Sequence, residues 1–300
     1  MMLPDLAELV ALRGAAQGLS LHAHRPALAR LPGGHRSAQR GRGLEFEEVR
    51  LYAPGDDARN IDWRVTARRG RPHTKLFREE RERPVWIVAD LHPGLFFGSR
   101  RQLKSALLLR AAALLGWTAV RGGDRLGAVI TVDAEAPLIF PPRARQAGVL
   151  PVLEALVEAQ PRAPGGAASG GLSAALAALR PLLQPGSLVL VLSDFNVLDP
   201  GAEAVLAGTA VHVDGRLLWI ADPLERDGLP PGVYRAGIPG RLWWLDGERS
   251  RASWQAAWVA REQRLNDLAR RLNLPLHRIE TADAVEESLS ALLREPAWAA

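Results

Sequence analysis

Four runs of apolar residues give way to aspartate, at Asp90, Asp133, Asp194 and Asp222. Carboxylates gathered on one edge of a sheet are oxygen ligands for a hard cation. Taken singly, an aspartate at a strand end also caps the helix or turn that follows. A second polar cluster is Gly55-Asp56-Asp57-Ala58-Arg59-Asn60-Ile61-Asp62-Trp63, with Arg64 and Arg68 just beyond. Carboxylates this close can divide general acid and base work if burial sets their pKa values apart. The same residues can instead clamp the segment through Asp–Arg pairs, because Pro54-Gly55-Asp56-Asp57 is an ordinary turn. A third reading makes Asp56, Asp57, Arg59, Asp62 and Arg64 a partner-binding surface. Trp63 is expected to pack into the core.

Those groups need a scaffold, and the spacing of apolar residues supplies one. Residues 85–89, 125–132, 187–192 and 216–221 are short apolar strands. Residues 137–140 are expected to pair with the second of them as an edge hairpin, and 276–279 to form a last strand. Helical stretches lie between: 100–121, with Ser99 as its cap, then 145–158, 172–183 and 253–272. On the last of these Trp254, Trp258, Leu265, Leu268 and Leu272 share one face, which reads as core rather than as a nucleic-acid stacking surface. Apolar strands alternating with helices predict an open, doubly wound, mostly parallel α/β sheet. Ligands of such sheets sit beyond the carboxyl ends of the strands, at a topological switch point. Before Pro84 the texture differs. Residues 3–31 open with an amphipathic helix, Pro32-Gly33-Gly34 breaks it, and residues 41–83 read as short strands between turns. The expected division is a helix and linker at 1–35, a β-rich segment at 36–83 and an α/β domain at 84–300.

Composition narrows the chemistry. Among 300 residues there is no cysteine, which excludes disulfides, thiolate metal sites and cysteine nucleophiles. The net charge is +5, and all of the excess lies in residues 1–83, where 16 Lys and Arg face 11 Asp and Glu. Only Lys75 and Lys104 are lysines, so arginine carries the basicity. No apolar stretch has the length of a membrane span and no basic leader precedes one, so a soluble, cytoplasmic chain is expected. Residues 166–173 have the glycines of a phosphate-binding loop but Leu172 where its lysine would stand. No Gly-x-Ser-x-Gly elbow appears. The arginines of residues 25–42, Arg30, Arg36 and Arg40 among them, offer one alternative role, contact with nucleic acid.

The run Arg40-Gly41-Arg42-Gly43-Leu44-Glu45-Phe46-Glu47-Glu48-Val49-Arg50 continues through Tyr52-Ala53-Pro54-Gly55-Asp56-Asp57-Ala58-Arg59-Asn60-Ile61-Asp62-Trp63-Arg64 to Glu79-Glu80-Arg81-Glu82. This sequence closely resembles the signature of the bacterial family called domain of unknown function 58. The resemblance returns at Ser193-Asp194-Phe195 and Asp222-Pro223-Leu224-Glu225. It implies a von Willebrand factor A-like (Rossmann-like) core behind the β-rich segment, and a MoxR-type AAA+ ATPase as partner. It also implies a metal-ion-dependent adhesion site, in which an Asp-x-Ser-x-Ser loop, a threonine and a further aspartate hold magnesium. In this chain that loop reads Asp90-Leu91-His92-Pro93-Gly94, so His92 and Gly94 replace both serines. The threonine loop, placed within 165–173, offers only Ser169 or Ser173, and Asp194 fits the last carboxylate. The expectation is a degenerate site without a cofactor, in a non-enzymatic interaction module that docks through residues 36–83 and the edge around Asp90 and Asp194. The competing enzyme reading is a metal-assisted hydrolase holding zinc or manganese on Asp90, His92 and Asp194.

Overall fold

The computed structural model describes residues 3–21, 44–53, 58, 61–79, 82–131, 135–165, 171–211, 213–238 and 241–294. The chain divides into two compact units, Met1–Leu31 with Arg83–Ala300, and Pro32–Glu82. The first begins with α1 (Leu6–Ala11), whose start is fixed by Asp5 accepting from the Glu8 N–H at 2.8 Å. The helix is held to the body of its unit by Trp117, whose indole N–H donates to the Leu9 carbonyl at 3.1 Å.

The second unit contains β1 (Leu44–Leu51), α2 (Trp63–Arg69) and β2 (His73–Glu79), with β1 and β2 antiparallel. The strands follow the expected texture; the helix between them does not. The Asp62 carboxylate accepts from the N–H groups of Arg64 and Val65, and Gly70 closes the helix at φ 70°. Asp62 also donates its backbone N–H to His73, and the Thr66 hydroxyl accepts from His73, so cap and helix are laced to β2. Trp63 therefore stands at the first helical position and is 69% exposed, not in a core as expected. A two-stranded ribbon with one seven-residue helix has little apolar surface with which to cover an indole.

In the first unit the elements run β3 (Pro84–Ala89), α3 (Lys104–Arg121), β4 (Arg125–Ile130), β5 (Leu138–Ala144), α4 (Gln146–Ala159), α5 (Gly171–Leu179), β6 (Leu188–Ser193), α6 (Pro200–Ala210), β7 (Asp214–Ala221) and α7 (Pro223–Asp227). They continue with β8 (Val233–Ile238), β9 (Arg241–Asp246), α8 (Gly247–Leu272), β10 (Leu276–Glu280) and α9 (Val285–Arg294). The sheet order is β10-β7-β6-β3-β4-β5, parallel except for β5 at the edge, while β8 and β9 form a separate hairpin. The fold is mixed α/β with a mostly parallel central sheet, as the strand and helix spacing predicted.

Alternate residues of each strand serve opposite layers. Val85, Ile87 and Ala89 of β3 pack with α1, α3, α4 and α9, whereas Trp86 and Val88 pack with α5, α6 and α8. With both faces covered, β3, β6 and β7 are buried along their whole length. In the second layer Trp219 and Trp258 stack at 4.7 Å, which places the α8 tryptophan face in the core as read.

Three helix ends differ from the expected ones: α8 begins at Gly247, capped by Asp246, rather than at residue 253, α5 ends at Leu179 rather than at residue 183, and α3 starts later than residue 100. α3 begins at Lys104 after Leu103, with no side-chain cap, because Ser99 is engaged elsewhere. The Ser99 N–H and hydroxyl both donate to Asp222.

β10 carries a titration that should be measurable. Burial first, then the nearby Arg216 charge, pushes the His277 imidazole from 6.5 down to about 4. A histidine whose folded pKa lies below its unfolded one contributes stability above pH 6.5 that is lost as the pH falls towards 4. Allowing for its partial solvent contact, His277 should account for about 2 kcal/mol of acid destabilisation in that window. Urea unfolding of His277→Gln between pH 7 and pH 4 is expected to show a flatter profile than the parent; an identical profile rules the assignment out.

Candidate functional site

The order of the central sheet places the site. The chain leaves β3 towards β4 on one side, while β6 lies on the other, so the loops after β3 and β6 diverge from one crevice. Asp90 follows β3 and Asp194 follows β6. Their backbones are joined where the Asp90 N–H donates to Leu192 at 3.0 Å.

Asp90 is held by the Ser193 hydroxyl, which donates to its Oδ2 at 2.6 Å, while the Thr131 hydroxyl donates to the Leu91 carbonyl at 2.7 Å and lies 3.5 Å from Asp90 Oδ1. Ser193 Oγ in turn accepts from the Phe195 N–H, which fixes the loop in which Phe195 adopts φ 51°. Asp194 is fully buried. Its carboxylate accepts from the Asn196 backbone at 2.9 Å and side chain at 2.7 Å, and faces His92 Nε2 at 3.4 Å. The decisive partner comes from the first residue of α3. Lys104 Nζ lies 2.6 Å from Asp194 Oδ2 and 3.0 Å from Glu225 Oε1, with its side chain only 1% exposed. Arg261 of α8 adds a second cation, 3.7 Å from Glu225, and donates to the Asp194 carbonyl.

Electrostatics separates these groups. Burial acts against charge on Asp194, but the hydrogen bond from His92 and the charges of Lys104 and His92 outweigh it and hold the carboxyl far below the usual range. Burial also opposes charge on His92, yet the Asp194 hydrogen bond and the Asp194 and Asp90 charges raise its pKa. Asp90 moves up instead, because there burial outweighs the Ser193 hydrogen bond and the His92 charge. Asp194 is thus a carboxylate wrapped in donors that favour its charged form.

The structure brings Asp90, His92 and Asp194 together, as the loop reading required. It adds Lys104, Glu225, Ser193, Thr131 and Arg261, which that reading missed. Lys104 carried a usable signal: it is one of only two lysines, and an apolar helical run follows it directly. Asp222, the other strand-end aspartate described, is a cap. Its carboxylate accepts from Leu224, Ser99 and Thr281 in a capping box with Glu225, whose Oε2 accepts from the Asp222 N–H at 2.9 Å. Ser173 Oγ faces Gly201 of α6. Of the partner-surface candidates, Arg64 is exposed on α2 and Asp62 is committed to capping it. Asp56, Asp57, Arg59, Asp133, Ser169 and the arginines of 25–42 lie outside the described residues.

A divalent cation fits this donor set poorly. Among the described residues no group of three or more His, Asp and Glu side chains converges as metal ligands would. An ammonium already hydrogen-bonds both Asp194 and Glu225. The His92 nitrogen left without a partner, Nδ1, is not the one that faces Asp194.

The family described as Protein of unknown function DUF58 matches residues 48–235, well over half of the chain and all of the cluster except Arg261. The chain belongs to DUF58. Uncharacterized proteins of Mycobacterium bovis and Mycobacterium tuberculosis are 36% identical to this DUF58 chain over 165 residues, covering 55% of it and 51% of each of them. The chain therefore spans about half the length of the curated relatives it matches. Solved structures similar to it include the conserved hypothetical protein BatB from Bacteroides thetaiotaomicron, at 12% identity and a TM-score of 0.43 over 70% of this chain and 96% of that one. An aerotolerance-related membrane protein from Bacteroides fragilis matches at 14% identity and a TM-score of 0.44, over 70% and 98%. Among the described residues of this DUF58 chain, no helix is long and apolar enough to cross a membrane.

Proposed function

We propose that this DUF58 protein is a non-enzymatic interaction module with a von Willebrand factor A-like core, acting in the cytoplasm with a MoxR-type AAA+ ATPase. Its adhesion site is degenerate, and the Lys104 ammonium does the work of the missing cation. One observation carries this reading: Lys104 Nζ sits between Asp194 and Glu225 at the switch point of the sheet. A fixed ammonium balances the carboxylates as a metal would, but it offers no open coordination position to a substrate or to a partner's carboxylate. The remaining acid and base candidates, Asp90 and His92, are themselves buried.

Docking then falls to surfaces outside the cluster. Within the family signature, α2 presents Trp63 and Arg64 to solvent, residue types that dominate binding energy at protein interfaces. Co-expression of the tagged full chain with a MoxR-type ATPase from the same organism should recover the ATPase. Trp63→Ala with Arg64→Glu should reduce recovery at least about tenfold. No recovery even after crosslinking, or recovery indifferent to both substitutions, contradicts the proposal.

A further inference from the structure

A cavity of about 760 Å³ opens between the turn after α1, the last turn of α3 and the first turn of α4. Arg13, Arg121 and Arg145 line it with Gln146, and Trp117 and Val120 give it an apolar side. No acidic side chain is among the described residues of its wall. Two arginines close to these elements have carboxylate partners, Arg110 with Glu8 and Arg83 with Asp124. The three around the cavity do not. Arg13 lies over the Trp117 ring at 5.8 Å, Arg121 donates to the Ala16 carbonyl at 3.0 Å, and Arg145 has no polar side-chain partner among the described residues. Three like charges around one hollow repel one another until an anion enters.

Arg145 is also held against its backbone preference. It precedes α4 at φ 59° and ψ −153°, a region that is essentially reserved for glycine, and its side chain does not cap the helix. Glycine would make the same turn without strain.

We propose that this cavity binds a small phosphate-bearing molecule of nucleotide size. A single carboxylate is satisfied by one guanidinium fork, whereas a phosphate dianion accepts from several forks at once. The volume lies in the range of small-molecule pockets and exceeds what free phosphate needs, so the Trp117 and Val120 side receives an organic portion.

Titration calorimetry on the full chain would use three probes: inorganic phosphate, ADP, and phosphatidylglycerol vesicles. ADP should bind, inorganic phosphate should bind more weakly, and the vesicles should not bind. Arg13→Gln should weaken ADP at least about tenfold. Arg145→Gly should weaken it similarly while raising the melting temperature, because glycine relieves the strained turn. A purely structural Arg145 would show the thermal gain without the binding loss, which would overturn the proposal. So would binding confined to vesicles, phosphate binding tighter than ADP, ADP binding unchanged in both variants, or no heat from phosphate or ADP at about 1 mM.

Discussion

Lys104→Met lowers the unfolding free energy by about 3–5 kcal/mol, measured by denaturant titration at neutral pH. Methionine matches the lysine stem in length and flexibility, so packing at the start of α3 is largely kept, and a purely steric role would cost under about 1.5 kcal/mol. What goes is the ammonium. Asp194 is fully buried and Glu225 lies beside it, so the variant leaves a buried carboxylate without its closest cation. Removing one partner of a buried pair costs more than the pair itself is worth, because the survivor keeps its desolvation penalty. Asp194→Asn in the Lys104→Met background should therefore restore part of the loss. Two additive single effects would show that Lys104 and Asp194 do not act as a unit.

Asp222→Ala should cost about 3–4 kcal/mol, about 1 from the lost helix cap and the rest from stranded donors. The Asp222 carboxylate ties together three segments distant in sequence: Ser99 before α3, Leu224 in α7 and Thr281 after β10. Thr281 is fully buried, so its hydroxyl has no water to turn to when the carboxylate goes. Burial opposes the Asp222 charge, but the hydrogen bonds from Ser99, Thr281 and Leu224 outweigh it and lower its pKa. A depressed carboxylate pKa gives stability that is present above its unfolded value and lost as the pH falls below it. The cost of Asp222→Ala should accordingly shrink in strong acid. A loss under about 1 kcal/mol at neutral pH would mean that the three segments are held by other means.

How much of this was legible in the sequence depended on how local each cause was. The strands ending near Asp90, Asp194 and Asp222 announce themselves because buried parallel strands are continuous apolar runs. The antiparallel edge strand β5 was signalled by the short turn before it. α2 was hidden inside a segment of turns and charges: its cap, Asp62, was visible, but so short a helix carries no clear apolar period. Ser99 was legible as a cap by type, yet its partner is Asp222, 123 residues away. The cluster divided in the same way. Asp90, His92 and Asp194 lie on loops whose spacing is local and readable. Lys104 reaches Asp194 across 90 residues, and Glu225 and Arg261 complete the set from α7 and α8. No pattern in the chain states that such groups meet; the packing of α3 across the face of the central strands makes it so.

On the proposed reading, Lys104 supplies the cation beyond the carboxyl ends of β3 and β6 and no metal does. Metal analysis of the purified full chain, with calorimetric titration of magnesium, manganese and zinc, should then find no stoichiometric metal and no saturable heat from any of the three. One tightly bound equivalent, lost in Asp90→Ala, would contradict it.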